Sequence, residues 1–105
     1  MRVAGPAGAP LGLCVIEGDE LYQLFVARAA RGSGVADVLL TDGEARLAAS
    51  GVATAWLACV VGNDRAARFY EKRGWTRART LTNRLETPDG VFEIEVWRYE
   101  KGVAP

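Results

Sequence analysis

The chain has 105 residues, enough for one domain and too few for two. Its 13 basic and 13 acidic side chains balance, and no apolar run nears the ~20 residues of a membrane span, so neither nucleic acid nor a membrane is an expected partner. The absence of histidine removes the commonest general base, the Ser-His-Asp triad and most zinc sites, and no metal is expected.

The opening "MRVAGPAGAP", residues 1–10, is rich in Gly, Ala and Pro and reads as a loose segment, with a little extended structure at Arg2 to Ala4. "LGLCVIEG" (Leu11–Gly18) and "ELYQLFVA" (Glu20–Ala27) are β-like runs joined at Gly18-Asp19, the signature of a tight hairpin. Period 2 puts Leu21, Gln23 and Phe25 on one face and Tyr22, Leu24 and Val26 on the other. The two cysteines, Cys14 and Cys59, lie inside apolar runs and read as small core residues of a reducing, cytoplasmic compartment.

From about Ser33 to Ser50 the period becomes helical. Ala36, Leu39, Leu40, Gly43 and Leu47 form one stripe, and Gly51 follows as a left-handed cap. "TAWLACVV" (Thr54–Val61) is an almost unbroken apolar strand, the pattern of a strand covered on both faces. Asn63 opens a second helix that Gly74 closes. "WTRARTLTNRLE" and "VFEIEVWRYEK" are two further strands around "TPDG". The order is β-β-α-β-α-β-β, an α/β (α+β) chain with a mixed sheet. Its central parallel pair flanks the Ser33–Ser50 helix, and residues 1–105 make a single domain.

"ARGSGVA" stands where the first strand of that crossover meets its helix. A helix start exposes unpaired N–H groups and partial positive charge, and glycines let a ligand approach them without meeting a Cβ. Arg31, Gly32, Ser33, Gly34, Val35 and Ala36 can therefore cradle a phosphate. The lysine of a P-loop and the third glycine of a dinucleotide fingerprint are missing. A plain β-to-α turn with Ser33 as N-cap explains the same residues. In "GNDRAARFYEKRGW", Asn63, Ala66 or Ala67, and Tyr70 share one helix face, where small residues leave room for a thin ligand. Equally, Asn63 and Gly74 can be simple caps and Tyr70 a surface residue.

Together the two segments resemble the GNAT superfamily of N-acetyltransferases. Arg31, Gly34 and Ala36 match its Arg/Gln-x-x-Gly-x-Gly/Ala motif. Asn63, Ala66, Tyr70 and Gly74 match Asn-x-x-Ala-x-x-x-Tyr-x-x-x-Gly, with Trp75 where the family has Phe. The resemblance covers about Leu11 to Lys101. It implies acetyl-CoA as co-substrate and direct transfer of its acetyl group to a primary amine of a small molecule or peptide. The backbone of Leu24, Phe25 and Val26 would bond the pantetheine arm, often at a bulge. The N–H groups from Arg31 to Ala36 would hold the pyrophosphate. Asn63 and the Ala66/Ala67 face would contact the rest of CoA, and Arg68 is a further candidate for a CoA phosphate, or else a solvated face residue. Tyr70 would be the general acid for the departing thiolate, since a phenol has a pKa near those of thiols. Glu20 is the candidate base, directly or through water, or else an exposed hairpin residue, and Tyr22 is a substrate-side candidate.

A proline common in the family three residues before the arginine is replaced by Arg28. The strand and two helices that members usually carry ahead of the hairpin have no counterpart here, so the expected form is a short one. Its acceptor pocket would be open or completed by a second subunit; Trp56, Trp97 and Tyr99 are candidates to face the partner of a homodimer, or else buried core residues. The alternative is a non-catalytic CoA-binding or interaction module of the same fold.

Overall fold

The computed structural model describes residues 2–5 and 11–104. In chain order it has β1 (Arg2–Ala4), β2 (Gly12–Glu17), β3 (Glu20–Val26), a 3-10 turn (Arg28–Ala30), α1 (Val35–Ala49), β4 (Thr54–Val60), α2 (Asp64–Lys72), β5 (Thr76–Thr87) and β6 (Gly90–Gly102). The strands form one six-stranded sheet in the order β1-β2-β3-β4-β6-β5. The expected order of elements holds, with the short β1 added ahead of it. Of the segment read as loose, Arg2–Ala4 is a strand paired with Gly12 to Cys14, and residues 6–10 lie outside the described residues. The chain divides into two units, Met1–Ala55 with Gly102–Pro105, and Trp56–Lys101.

In the first unit, β2 and β3 form the expected hairpin, and Gly18 supplies the positive φ (58°) at the first turn position. Strict alternation along β3 does not hold. Val15 pairs with Gln23 but Ile16 pairs with Leu21, so Tyr22 is an extra, bulged residue. The bulge resets the phase. Leu21 is buried and Leu24 and Val26 are half-buried, while Tyr22, Gln23 and Phe25 are exposed.

Helix α1 buries Leu39, Leu40, Gly43 and Leu47 of the stripe read from the sequence and leaves its fifth member, Ala36, half-buried. Gly43 is a close-packing position: a Cβ there would lie 3.0 Å from the Cys14 sulfur and 3.3 Å from Leu21. Gly12 is tighter still, since a Cβ would stand 2.6 Å from the Phe25 carbonyl oxygen and 2.9 Å from Leu39. At Gly51 (φ 91°) the Gly51 N–H donates to Ala48 O (3.0 Å) and the Val52 N–H to Leu47 O (3.1 Å). These are the two bonds of a Schellman motif.

In the second unit, Asn63 Oδ1 accepts the Ala66 N–H at 3.3 Å and caps α2. The helix ends as α1 does. At Gly74 (φ 90°) the Gly74 N–H donates to Glu71 O (3.2 Å) and the Trp75 N–H to Tyr70 O (3.1 Å). β5 and β6 pair from Thr76↔Glu100 to Thr87↔Gly90, with a register shift between Arg77 and Arg79. Leu57, Cys59, Ala67, Trp75, Val96 and Tyr99 are the buried apolar residues of this unit. β4 corrects a second expectation. Ala55, Leu57 and Cys59 are buried, but Ala58 and Val60 on the alternate face are exposed, so the apolar run is not covered on both sides along its length.

Candidate functional site

The first candidate segment opens α1. Gly32 and Gly34 both have positive φ, 81° and 89°, and a Cβ on either would meet nothing within 4 Å. These glycines are required by backbone conformation, and the space outside them is open. Ser33 does not cap the helix: its hydroxyl donates back to the Ala30 carbonyl oxygen, and Gly34 occupies the N-cap without a side-chain bond. The Arg31 and Ser33 N–H groups donate to the Arg28 and Ala30 carbonyls, each at 3.2 Å. The donors expected from Arg31 to Ala36 therefore narrow to four. The N–H groups of Gly32, Gly34, Val35 and Ala36 have no partner among the described residues. They stand at the positive end of a 15-residue helix. The exposed Arg31 lies in the same turn. Just before it, Leu24, Phe25 and Val26 pair with Cys14, Leu13 and Gly12, downstream of the Tyr22 bulge.

The second segment is α2. Asn63 is exposed but its side chain is engaged as a cap, Ala66 is half-buried and Ala67 is 4% exposed. Ala67 belongs to the core of its unit, so Ala66 keeps the small side chain at the surface. Tyr70 is half-buried among aromatic rings. Its ring centroid lies 5.4 Å from Phe69, 6.3 Å from Trp75 and 6.2 Å from Tyr99. This packing restricts the ring to a narrow range of directions.

A family model described as "Acetyltransferase (GNAT) family" matches residues 11–75, more than half of the chain. The chain belongs to the GNAT acetyltransferase family. Its fold is similar to an N-acetyltransferase from Staphylococcus aureus (23% identity, 96% of this chain and 66% of that one, TM-score 0.76). The ribosomal-protein-S18-alanine N-acetyltransferase from Escherichia coli is similar at 23% identity, over 96% of this chain and 66% of that one (TM-score 0.70). A GNAT family acetyltransferase from Elizabethkingia anophelis, solved with acetyl-CoA bound, matches at 11% identity over 95% and 73% of the two chains (TM-score 0.74). The chain thus spans about two thirds of the length of the first two. No curated protein sequence matches it.

One part of this GNAT chain was not legible in the sequence. Tyr99 is fully buried, and its hydroxyl donates to Glu71 Oε2 at 2.5 Å while accepting from Arg77 Nε and Nη2, both at 3.1 Å. Arg77 also lies over the Trp97 ring, 3.7 Å from its centroid, and Arg98 over Trp56 at 4.4 Å. Tyr99 is therefore a core residue of its own unit, the buried-core alternative of the two readings open for it, and not one that faces a partner. Glu71, Arg77 and Tyr99 are scattered along the chain. The only sequence signal was the β5–β6 pairing that sets Arg77 opposite Tyr99. Glu20 pairs with Glu17 at the hairpin end and is half-buried, and Tyr22 on the bulge is 58% exposed.

Among the described residues no cluster of three or more His, Cys, Asp or Glu is placed to hold a metal, and no helix is long and apolar enough to cross a membrane. Both cysteines are free and buried. Burial pushes the Cys14 and Cys59 thiols up, and burial followed by the bond to Glu71 pushes the Tyr99 phenol up. A raised acid keeps its proton in the folded state at pH values where the unfolded chain has lost it. Stability is thus unaffected below the unfolded thiol value of about 8.5 and falls as pH rises through it and through the phenol value of about 10. The thermal midpoint should be flat through neutral pH and decline on the alkaline side. A midpoint that rose there would contradict these shifts.

Proposed function

We propose that the protein is an N-acetyltransferase that moves the acetyl group of acetyl-CoA directly to a primary amine of a small molecule or peptide. The observation that carries this reading is the donor-bearing turn at the head of α1. Four unpartnered N–H groups and the Arg31 side chain stand there around two glycines with open space outside them. Such a turn suits a pyrophosphate.

In this reading Gly32, Gly34, Val35 and Ala36 bind the pyrophosphate through the backbone, with Arg31 and Ser33 beside them. The backbone of Leu24, Phe25 and Val26 holds the pantetheine arm. Asn63 and the surface of α2 at Ala66 contribute further CoA contacts. An amine is protonated at neutral pH and attacks only after losing a proton. Glu20, directly or through water, takes that proton. As the amine nitrogen bonds the thioester carbon and the carbon–sulfur bond breaks, Tyr70 gives its phenolic proton to the departing sulfur. The phenol is then restored by proton exchange with water.

Calorimetric titration of the full chain with acetyl-CoA and with CoA tests the reading. Saturable binding below millimolar ligand is expected, followed by thiol release when amines from a panel are added. Absence of binding at millimolar acetyl-CoA rejects it. Binding without thiol release for any amine points instead to a module that holds CoA without turnover.

A further inference from the structure

Helix α2 carries a second surface that this chemistry does not use. Arg65, Arg68 and Lys72 recur at helical spacing and, with Phe69 and the following Arg73, line a shallow cleft of about 310 Å³. At about 100° per residue, Arg65, Arg68 and Lys72 point roughly opposite to Ala66, Ala67 and Tyr70. Arg68, singled out from the sequence as a contact for a CoA phosphate, therefore lies on the other side of the helix from the residues assigned to CoA. Arg73 is fixed at the end of the stripe: its guanidinium sits 3.9 Å from the Phe69 ring centroid and donates to the Phe69 carbonyl at 3.1 Å. Arg65, Arg68 and Lys72 are exposed and form no ion pair among the described residues.

Like charges three and four residues apart on a helix repel and destabilise it. The helix holds two acids, and neither offsets them. Asp64 lies at its first position, close to the N-terminal positive end, and Glu71 is turned to Tyr99 and Arg77. The stripe is thus a local excess of positive charge in a chain whose 13 bases and 13 acids cancel. We infer that the Arg65–Arg68–Lys72 face docks an acidic polypeptide segment, with carboxylates on Arg65, Arg68 and Lys72 and apolar stems against Phe69. Arginine forks suit carboxylates bidentately. A short acidic segment fits better than duplex nucleic acid. The nine-residue helix is only about 13 Å long, and with zero net charge the chain lacks the broad field that steers polyanions.

The test is fluorescence anisotropy of a labelled oligo-glutamate peptide against the full chain. Binding that weakens with added salt is expected, with at least about tenfold loss in an Arg68→Glu/Lys72→Glu double variant. Both positions are exposed and the reversal relieves repulsion, so the variant should keep the wild-type circular dichroism spectrum. Arg84→Glu, on β5, should bind as wild type does. No binding of the peptide, or equal loss in Arg84→Glu, overturns the inference. So does tighter binding of a DNA duplex at the same salt. Displacement of the peptide by acetyl-CoA also overturns it, by placing the stripe in the CoA site. Because the readout is peptide binding, failure here leaves the acetyl-CoA titration intact, and the reverse.

Discussion

Tyr70→Phe is expected to lower kcat for acetyl transfer by about 10²- to 10⁴-fold while leaving acetyl-CoA affinity unchanged, the range of a lost general acid. The substitution removes one oxygen and keeps the ring. That ring packs edge-on against Phe69 and Trp75 and beside Tyr99, contacts that phenylalanine preserves. The loss should therefore fall on a step in which the phenol delivers a proton, lowering kcat and kcat/KM together with KM little changed. Steady-state thiol release paired with calorimetry separates the two effects. Wild-type turnover in the variant rejects Tyr70 as the acid. A fall in CoA affinity of the same size as the fall in turnover assigns it a binding role instead.

Tyr99→Ala is expected to be the most damaging single truncation in the Trp56–Lys101 unit, costing about 3–5 kcal/mol of folding stability. Tyr99 is 0% exposed and sits with Trp75 and Val96 in the unit's buried set. Removing the ring opens a cavity next to Tyr70 and takes away the hydroxyl that joins Glu71 to Arg77. Tyr99→Phe should cost much less, about 1 kcal/mol, although its hydrogen bonds involve charged partners. Glu71 and Arg77 are 45% and 43% exposed in their side chains, so water can replace the lost hydroxyl. Denaturant unfolding of the two variants distinguishes ring from hydroxyl. Equal losses would show that the polar contacts and not the ring hold this core. A domain of this size has only about 5–15 kcal/mol in total, so Tyr99→Ala should also shift the thermal midpoint by many degrees.

Much of the chain was legible because its signals are local. Gly51 and Gly74 were read as helix ends, and both close the same pair of carbonyl bonds in the structure. Leu39, Leu40, Gly43 and Leu47 followed from period 3.6 alone. Gly18-Asp19 and "TPDG" marked their hairpins. Other readings failed where one choice depended on a pairing or bond that residue type and period do not reveal. Alternation along Glu20–Val26 assumed that each β3 residue opposes one β2 residue, and only the Val15/Ile16 register reveals Tyr22 as the extra one. Ser33 has the chemistry of an N-cap, but its hydroxyl is satisfied by Ala30 in the 3-10 turn, and the helix starts after Gly34. Ala66 and Ala67 were equivalent by spacing, and burial separates them.

By itself, then, the sequence determined the order of elements, the helix stripes and caps, and the two motif segments of a GNAT chain. Each depends on neighbours within about four residues, through backbone conformation and period. Only the tertiary structure decided which N–H groups at Gly32–Ala36 remain unpartnered, which residue bulges from β3 and what surrounds Tyr70. It also joined Glu71, Arg77 and Tyr99 into one hydrogen-bonded cluster. The set of unpartnered N–H groups follows from the local turn bonds to Arg28 and Ala30, while the other outcomes depend on register and burial, which couple residues far apart in the chain and leave no periodic trace.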